Sequence, residues 1–159
     1  EIVNEIVVPA LDKTGADFES GKIFLPQLIL SAGVAQEAFE VIKNHLANGN
    51  NTPVSKGNIV VATVKGDVHD IGKNIVKVLL ENYGYTVTDL GKDVEYQAVV
   101  DAIKEHDCQL VGLSALMTTT LGSMEDTIKL IKENNLNCKI MVGGAVLTPE
   151  YAEKICADF

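Results

Sequence analysis

An α/β fold built on a parallel sheet, preceded by part of a helical bundle, is what this sequence predicts. Three observations predict it. From Asn58 onward, short apolar β-branched runs alternate strictly with helical stretches. Before His45 the apolar residues recur only at helical spacing. Between them, within His45 to Asn58, lies the breaker-rich run Asn48-Gly49-Asn50-Asn51-Thr52-Pro53.

Each element follows from local chemistry. Ile2, Ile6 and Val7, then Leu11, mark a first helix. Pro9 lacks a backbone donor and is expected to interrupt it. Gly15 and Gly21 bracket an expected break near Phe18. Pro26 suits the first turn of a second helix, whose apolar stripe is Leu28, Ile29, Ala32, Ala35, Phe39 and Ile42. Two helices cannot bury both their faces, so residues 1–50 read as part of a bundle and 51–159 as the α/β domain. Strands are expected over 58–64, 86–90, 110–115 and 139–142. Helices are expected over 74–82, 96–106 and 121–134, with a last one opening at Pro149. The alternation implies parallel strands, helices on both sheet faces and right-handed crossovers. The fold expects a fifth strand, so the α/β domain reads as truncated after Phe159.

Composition narrows the function. A net charge of −9 over 159 residues excludes a nucleic-acid phosphate partner, which demands clustered Lys and Arg. No apolar run approaches the roughly 20 residues of a membrane span. The opening Glu1-Ile2-Val3-Asn4-Glu5 is no signal peptide, and with no Met before Glu1 the chain reads as beginning inside a longer protein. Cys108, Cys138 and Cys156 are far apart and form no C-x-x-C pair, which argues against a zinc site and a disulfide framework. They suit small hydrophobes in a reducing, cytoplasmic setting.

In an open parallel sheet, ligands bind beyond the carboxyl ends of the strands, where strand order reverses. For a flavodoxin-like order that point lies between the first and third strands. The unusual residues fall there: Lys65-Gly66-Asp67-Val68-His69-Asp70-Ile71-Gly72, then Ser114-Ala115-Leu116-Met117-Thr118-Thr119-Thr120, then Gly143-Gly144-Ala145. A carboxylate beside an imidazole accepts one ring N–H, fixes the tautomer and leaves the other nitrogen as a metal ligand. Gly66 and Gly72 permit a tight loop, and Gly143 with Gly144 lets something bulky pass the backbone. Taken singly, each has an ordinary reading: a solvated loop histidine, a helix N-cap, a turn. No phosphate-loop or dinucleotide glycine motif is present.

Together the residues are specific. Asp67-x-His69-x-x-Gly72, then Ser114-x-Leu116, then Gly143-Gly144 resembles the cobalamin-binding signature D-x-H-x-x-G…S-x-L…G-G. The run from Val64 to Asn74 resembles cobalamin-dependent methionine synthase and the corrinoid proteins of methylamine and methanol metabolism. Phe18, with Gly21-Lys22-Ile23-Phe24-Leu25-Pro26-Gln27, is similar to their helical cap. The resemblance covers nearly the whole chain and implies a Rossmann-like B12-binding domain behind a cap.

The resemblance implies residue roles. His69 would replace the cofactor's benzimidazole on cobalt, and the displaced nucleotide tail would enter the sheet between the first and third strands. Asp67 would bond His69, and Thr120 would complete the relay where methionine synthase has a serine. Ser114 and Thr118 would contact the tail; Gly143 and Gly144 would line its channel. Gly66, Val68, Asp70, Ile71, Gly72, Leu116 and Ala145 complete the expected cofactor-binding set. Phe18 and Leu25 would shield the upper face of the metal.

The implied cofactor is cobalamin, cycling between cob(I)alamin and methylcobalamin, with hydroxo or aquo forms as alternatives. The expected partners are methyl-donor and methyl-acceptor methyltransferase domains or subunits and a reductive-activation partner. The chain reads as a methyl carrier, incomplete as an enzyme by itself. A methionine synthase module with homocysteine as acceptor is the first expectation; a stand-alone corrinoid carrier is the alternative. Mutases usually lack the cap, and a cobalamin-based gene regulator would need a DNA-binding domain.

Overall fold

The computed structural model describes residues 2–47 and 55–159. The expected linker lies outside the described residues over 48–54. The chain divides into two compact units. One comprises residues 1–55 with Val78–Gly84, the other Lys56–Lys77 with Tyr85–Phe159.

In the helical unit, a π-helical turn over Val3–Val7 runs directly into α1, Val8–Glu19, with Pro9 in its first turn. Pro9 therefore interrupts the regular hydrogen bonding without breaking the rod. Gly15 stays helical, so Phe18 lies inside α1 and the break falls at residues 20–24. Gly21, with φ 73°, turns the chain there. Helix α2 spans Leu25–Ala47. The Phe24 N–H donates to Gln27 Oε1 at 2.7 Å, one half of a capping box. Leu11, Ala32 and Ala35 are buried. Ile29, expected in the buried stripe, is 46% exposed, as are Leu30 and Val34 more fully. The side chain of Phe39 lies outside those described.

The second unit holds a four-stranded sheet: β1 Asn58–Thr63, β2 Thr86–Asp89, β3 Leu110–Ser114 and β4 Lys139–Gly143. The strand order is β2-β1-β3-β4 and every pairing is parallel. The connecting helices are α3 Ile71–Asn82, α4 Tyr96–Glu105 and α5 Leu121–Glu133, followed by α6 Pro149–Lys154. Helix α3 starts three residues before the expected Asn74, which places Ile71 and Gly72 in its first turn rather than in the loop. Residues Asp107, Asn135 and Cys156, just past three of the helices, adopt left-handed φ, and the following N–H reaches back to Ile103, Ile131 and Ala152, as helix C-terminal caps do. Asp158 and Phe159 bond to Ile140 and Val142 along the free edge of β4.

Strand side chains alternate between faces. Val60, Ala62, Val111, Leu113 and Ile140 pack with Val99, Val100 and Ile103 of α4 and Met124, Ile128 and Ile131 of α5 into one core. The residues between them point to the other face, and that face carries the site.

Candidate functional site

Beyond the carboxyl ends of β1, β3 and β4 lies a cavity of about 630 Å³. Val61, Gly112, Ser114, Met141 and Gly143 form its sheet wall; Val68, His69, Asp70, Ile71, Gly72, Lys73 and Val76 face them. The three expected segments meet here because β1 and β3 are neighbours at the point where strand order reverses. The glycines keep the space open. A methyl group on Gly112 would lie 3.2 Å from Met141 Cε and 3.3 Å from Val61 Cγ1. One on Gly143 would meet nothing within 4 Å. Gly144 is different: with φ 148°, its added Cβ would lie 1.7 Å from the Ala115 carbonyl oxygen. It serves a close approach between two backbone segments.

His69 stands at the cavity with its side chain 46% exposed. Its Nδ1 lies 2.8 Å from Asp67 Oδ1. Asp67 is wholly buried and takes five donors. Oδ1 accepts the His69 N–H at 3.0 Å as well as the ring. Oδ2 accepts the Leu116 and Met117 N–H groups at 2.7 and 3.2 Å and the Thr120 hydroxyl at 2.7 Å. Burial pushes the Asp67 carboxyl up, but the His69 N–H, the Thr120 hydroxyl, the His69 ring and the Leu116 N–H outweigh it and hold the acid far below the usual range. The side chain is thus a fixed anion joining the loop after β1 to the loop after β3. By accepting the hydrogen bond from the His69 Nδ1–H it fixes the tautomer and leaves the Nε2 lone pair free.

Residues 118–120 form a short 3₁₀ turn before α5. At three residues per turn only one of its hydroxyls faces inward. Thr120 does so, and it bonds Asp67 instead of capping α5. Thr118 is exposed and outside the cavity wall.

Most sequence-expected residues meet here. Val68, His69, Asp70, Ile71, Gly72, Ser114, Leu116, Gly143, Gly144 and Ala145 line the cavity. Gly66, Asp67 and Thr120, expected to contact a cofactor, do not line the cavity; Asp67 bonds His69, and Thr120 bonds Asp67. Gly72 has no left-handed φ, whereas Gly66 has φ 83° and shapes the loop. Phe18 and Leu25 belong to the helical unit, where they are 40% and 39% exposed.

Several residues escaped the sequence reading. Val61, Gly112 and Met141 were discoverable from strand alternation, since each is out of step with the core residues beside it. Lys73 was not. Its ammonium is nearly buried at the cavity edge, 2.5 Å from Asp89 Oδ1 and 2.8 Å from Asn74 Oδ1.

The donor set restricts what metal fits. Among the described residues no group of three or more His, Cys, Asp or Glu could hold an ion. One free imidazole nitrogen above an apolar slot fits a metal that arrives with its other ligands, as in a corrin, and a slot that accepts an organic tail.

Comparison with known proteins agrees. The B12 binding domain model matches residues 57–159, and a second B12 binding domain model matches residues 1–43. Dimethylamine corrinoid protein 1 of Methanosarcina acetivorans is 42% identical, covering 99% of this chain and 75% of the relative. Trimethylamine corrinoid protein 1 of Methanosarcina mazei is 37% identical over 99% and 74%. A crystal structure of a cobalamin-binding protein from Desulfitobacterium hafniense DCB-2 superposes with TM-score 0.82 at 35% identity, covering 93% of this chain and 69% of that one. The methanol:cobalamin methyltransferase complex of Methanosarcina barkeri superposes with TM-score 0.80 at 32% identity, over 96% and 58%.

Proposed function

The chain belongs to the B12 binding domain family, and on that footing we propose that it is a corrinoid protein, the methyl carrier of a methylamine- or methanol-type methyltransferase system. The relatives named above support this assignment over the methionine synthase expectation, and homocysteine is no longer the proposed acceptor.

One observation carries the reading: a half-exposed imidazole at an apolar slot, tied through Nδ1 to a buried, multiply bonded carboxylate. Bound cobalamin supplies a cobalt centre that accepts a methyl group from a donor and yields it to an acceptor. The chain's own residues do the rest. His69 would hold the metal through Nε2. Asp67 keeps the proton on Nδ1, and Thr120 with the Leu116 and Met117 N–H groups keeps Asp67 ionised. Ser114, Gly143, Gly144 and Ala145 border the space for the nucleotide tail, and Gly112 sets its depth. The methyl donor and acceptor would be bound by separate methyltransferase subunits, as the methanol:cobalamin methyltransferase complex suggests.

The test is to add hydroxocobalamin and record the visible spectrum. The expected result is the spectrum of a corrinoid with benzimidazole displaced and histidine ligated. Retention of the benzimidazole ligand, or no binding, overturns the proposal. Methyl transfer to the loaded carrier by a methylamine or methanol methyltransferase, and not from a methylfolate, identifies the system.

A further inference from the structure

Asp93 lies in the β2–α4 connection and contributes nothing to the cavity wall. Its Oδ1 accepts the Gly66 N–H at 2.7 Å, and its own N–H donates to the Asp67 carbonyl at 3.0 Å. These two groups belong to the peptide planes on either side of the Gly66–Asp67 pair. Pinning both planes to one residue sets the backbone angles of the pair, and with them the direction of the Asp67 side chain. Asp93 achieves this at φ 54°, a left-handed conformation that aspartate tolerates better than most residues.

The surrounding bonds make the contact rigid. The Thr63 N–H donates to the Gly91 carbonyl at 2.9 Å, and the Val94 N–H to the Thr63 carbonyl at 3.1 Å. Val64 and Val94 form a parallel bridge. Residues 91–94 thereby extend the β2·β1 ladder along the segment that leads to His69. Just before them, Asp89 binds Lys73 in the first turn of α3. His69 thus lies between two anchor points, Gly66–Asp67 before it and Lys73 after it, both held from the end of β2.

We propose that Asp93 is a positioning residue: its carboxylate holds Gly66 while its backbone N–H holds the Asp67 carbonyl, so that the Asp67 side chain meets Nδ1 of His69. This rests on His69 as the proposed metal ligand. Asp93→Gly retains the left-handed backbone and the N–H donor and removes only the side-chain acceptor. Asp93→Asn retains an acceptor.

Both variants and the wild type are compared as the full chain without cofactor at pH 8, by hydrogen exchange at the Gly66 amide and nitrogen NMR of the His69 ring. In Asp93→Gly, the Gly66 amide is expected to exchange about tenfold faster, and the His69 ring to change from the Nδ1–H tautomer to a mixture. Asp93→Asn restores the wild-type pattern. A wild-type tautomer in Asp93→Gly, whatever its melting temperature, overturns the proposal. Should Asp93→Gly not fold, Asp93→Ser, whose side chain is too short to replace the carboxylate, is read in the same way. A parallel arm loads each protein with hydroxocobalamin, reduces it to cobalt(II) and reads the axial-nitrogen splitting by electron paramagnetic resonance; Asp93→Gly weakens it. Failure of the wild type to bind the corrinoid would overturn the proposed function, while the cofactor-free arm still decides the role of Asp93.

Discussion

The ring of His69 and the carboxylate of Asp67 meet at 2.8 Å, yet one side chain is 46% exposed and the other is fully buried. The pair therefore divides its labour. Asp67 joins two loops and orients the ring; His69 faces the cavity. Asp67→Ala leaves the Leu116 and Met117 N–H groups without their acceptor, removes the anion that ties the two loops, and is expected to cost about 3 kcal/mol or more. His69→Ala, at an exposed position, is expected to cost less than about 1 kcal/mol. Urea unfolding of the cofactor-free proteins measures both. Equal costs would show that the carboxylate has no stabilising role beyond the histidine.

His69→Ala is expected to remove the lower ligand while the slot still takes the nucleotide tail. Corrinoid binding weakens, and the spectrum of the bound form changes to that of a cofactor without a lower nitrogen ligand. A spectrum identical to wild type would remove His69 from the metal.

Thr120 bonds Asp67 through its hydroxyl. Thr120→Val keeps the shape and loses the hydroxyl, at an expected cost of about 1–3 kcal/mol. Thr120→Ser keeps the bond and stays within about 1 kcal/mol of wild type. Thermal unfolding distinguishes them; equal melting temperatures for the two variants would contradict the bond's importance.

Gly143 and Gly144 are adjacent and should respond differently. Gly144→Ala drives a methyl group into the Ala115 carbonyl and is expected to destabilise by about 3 kcal/mol or more. Gly143→Ala places its methyl in open space at the cavity wall; it folds normally and weakens corrinoid binding. Calorimetry and a binding titration read the two effects, and a stable Gly144→Ala would contradict the backbone contact.

Asp89 predicts a pH dependence. Burial pushes its carboxyl up, but the Lys73 hydrogen bond, the Gly91 N–H and the charges of Lys73 and Lys77 outweigh it and hold the acid below its ordinary 3.8. A carboxyl depressed on folding stabilises above its ordinary value, and that contribution is lost as pH falls through the folded value. Asp89→Asn is therefore less stable than wild type at pH 7, and the gap narrows below about pH 4. A gap independent of pH between 7 and 3 would show that the Lys73 pair contributes nothing through charge.

By itself, the sequence determined the alternation of strands and helices and the three segments that meet at the cavity. These follow from local patterns: short apolar β-branched runs, breaker clusters, and an aspartate two residues before a histidine in a loop after a strand. Only the tertiary structure decided why Gly144 tolerates no side chain, that Lys73 is buried against Asp89, and that Asp93 pins the Gly66–Asp67 backbone. Each of these joins residues distant in sequence, and each depends on the register in which parallel strands carry their loops to one edge.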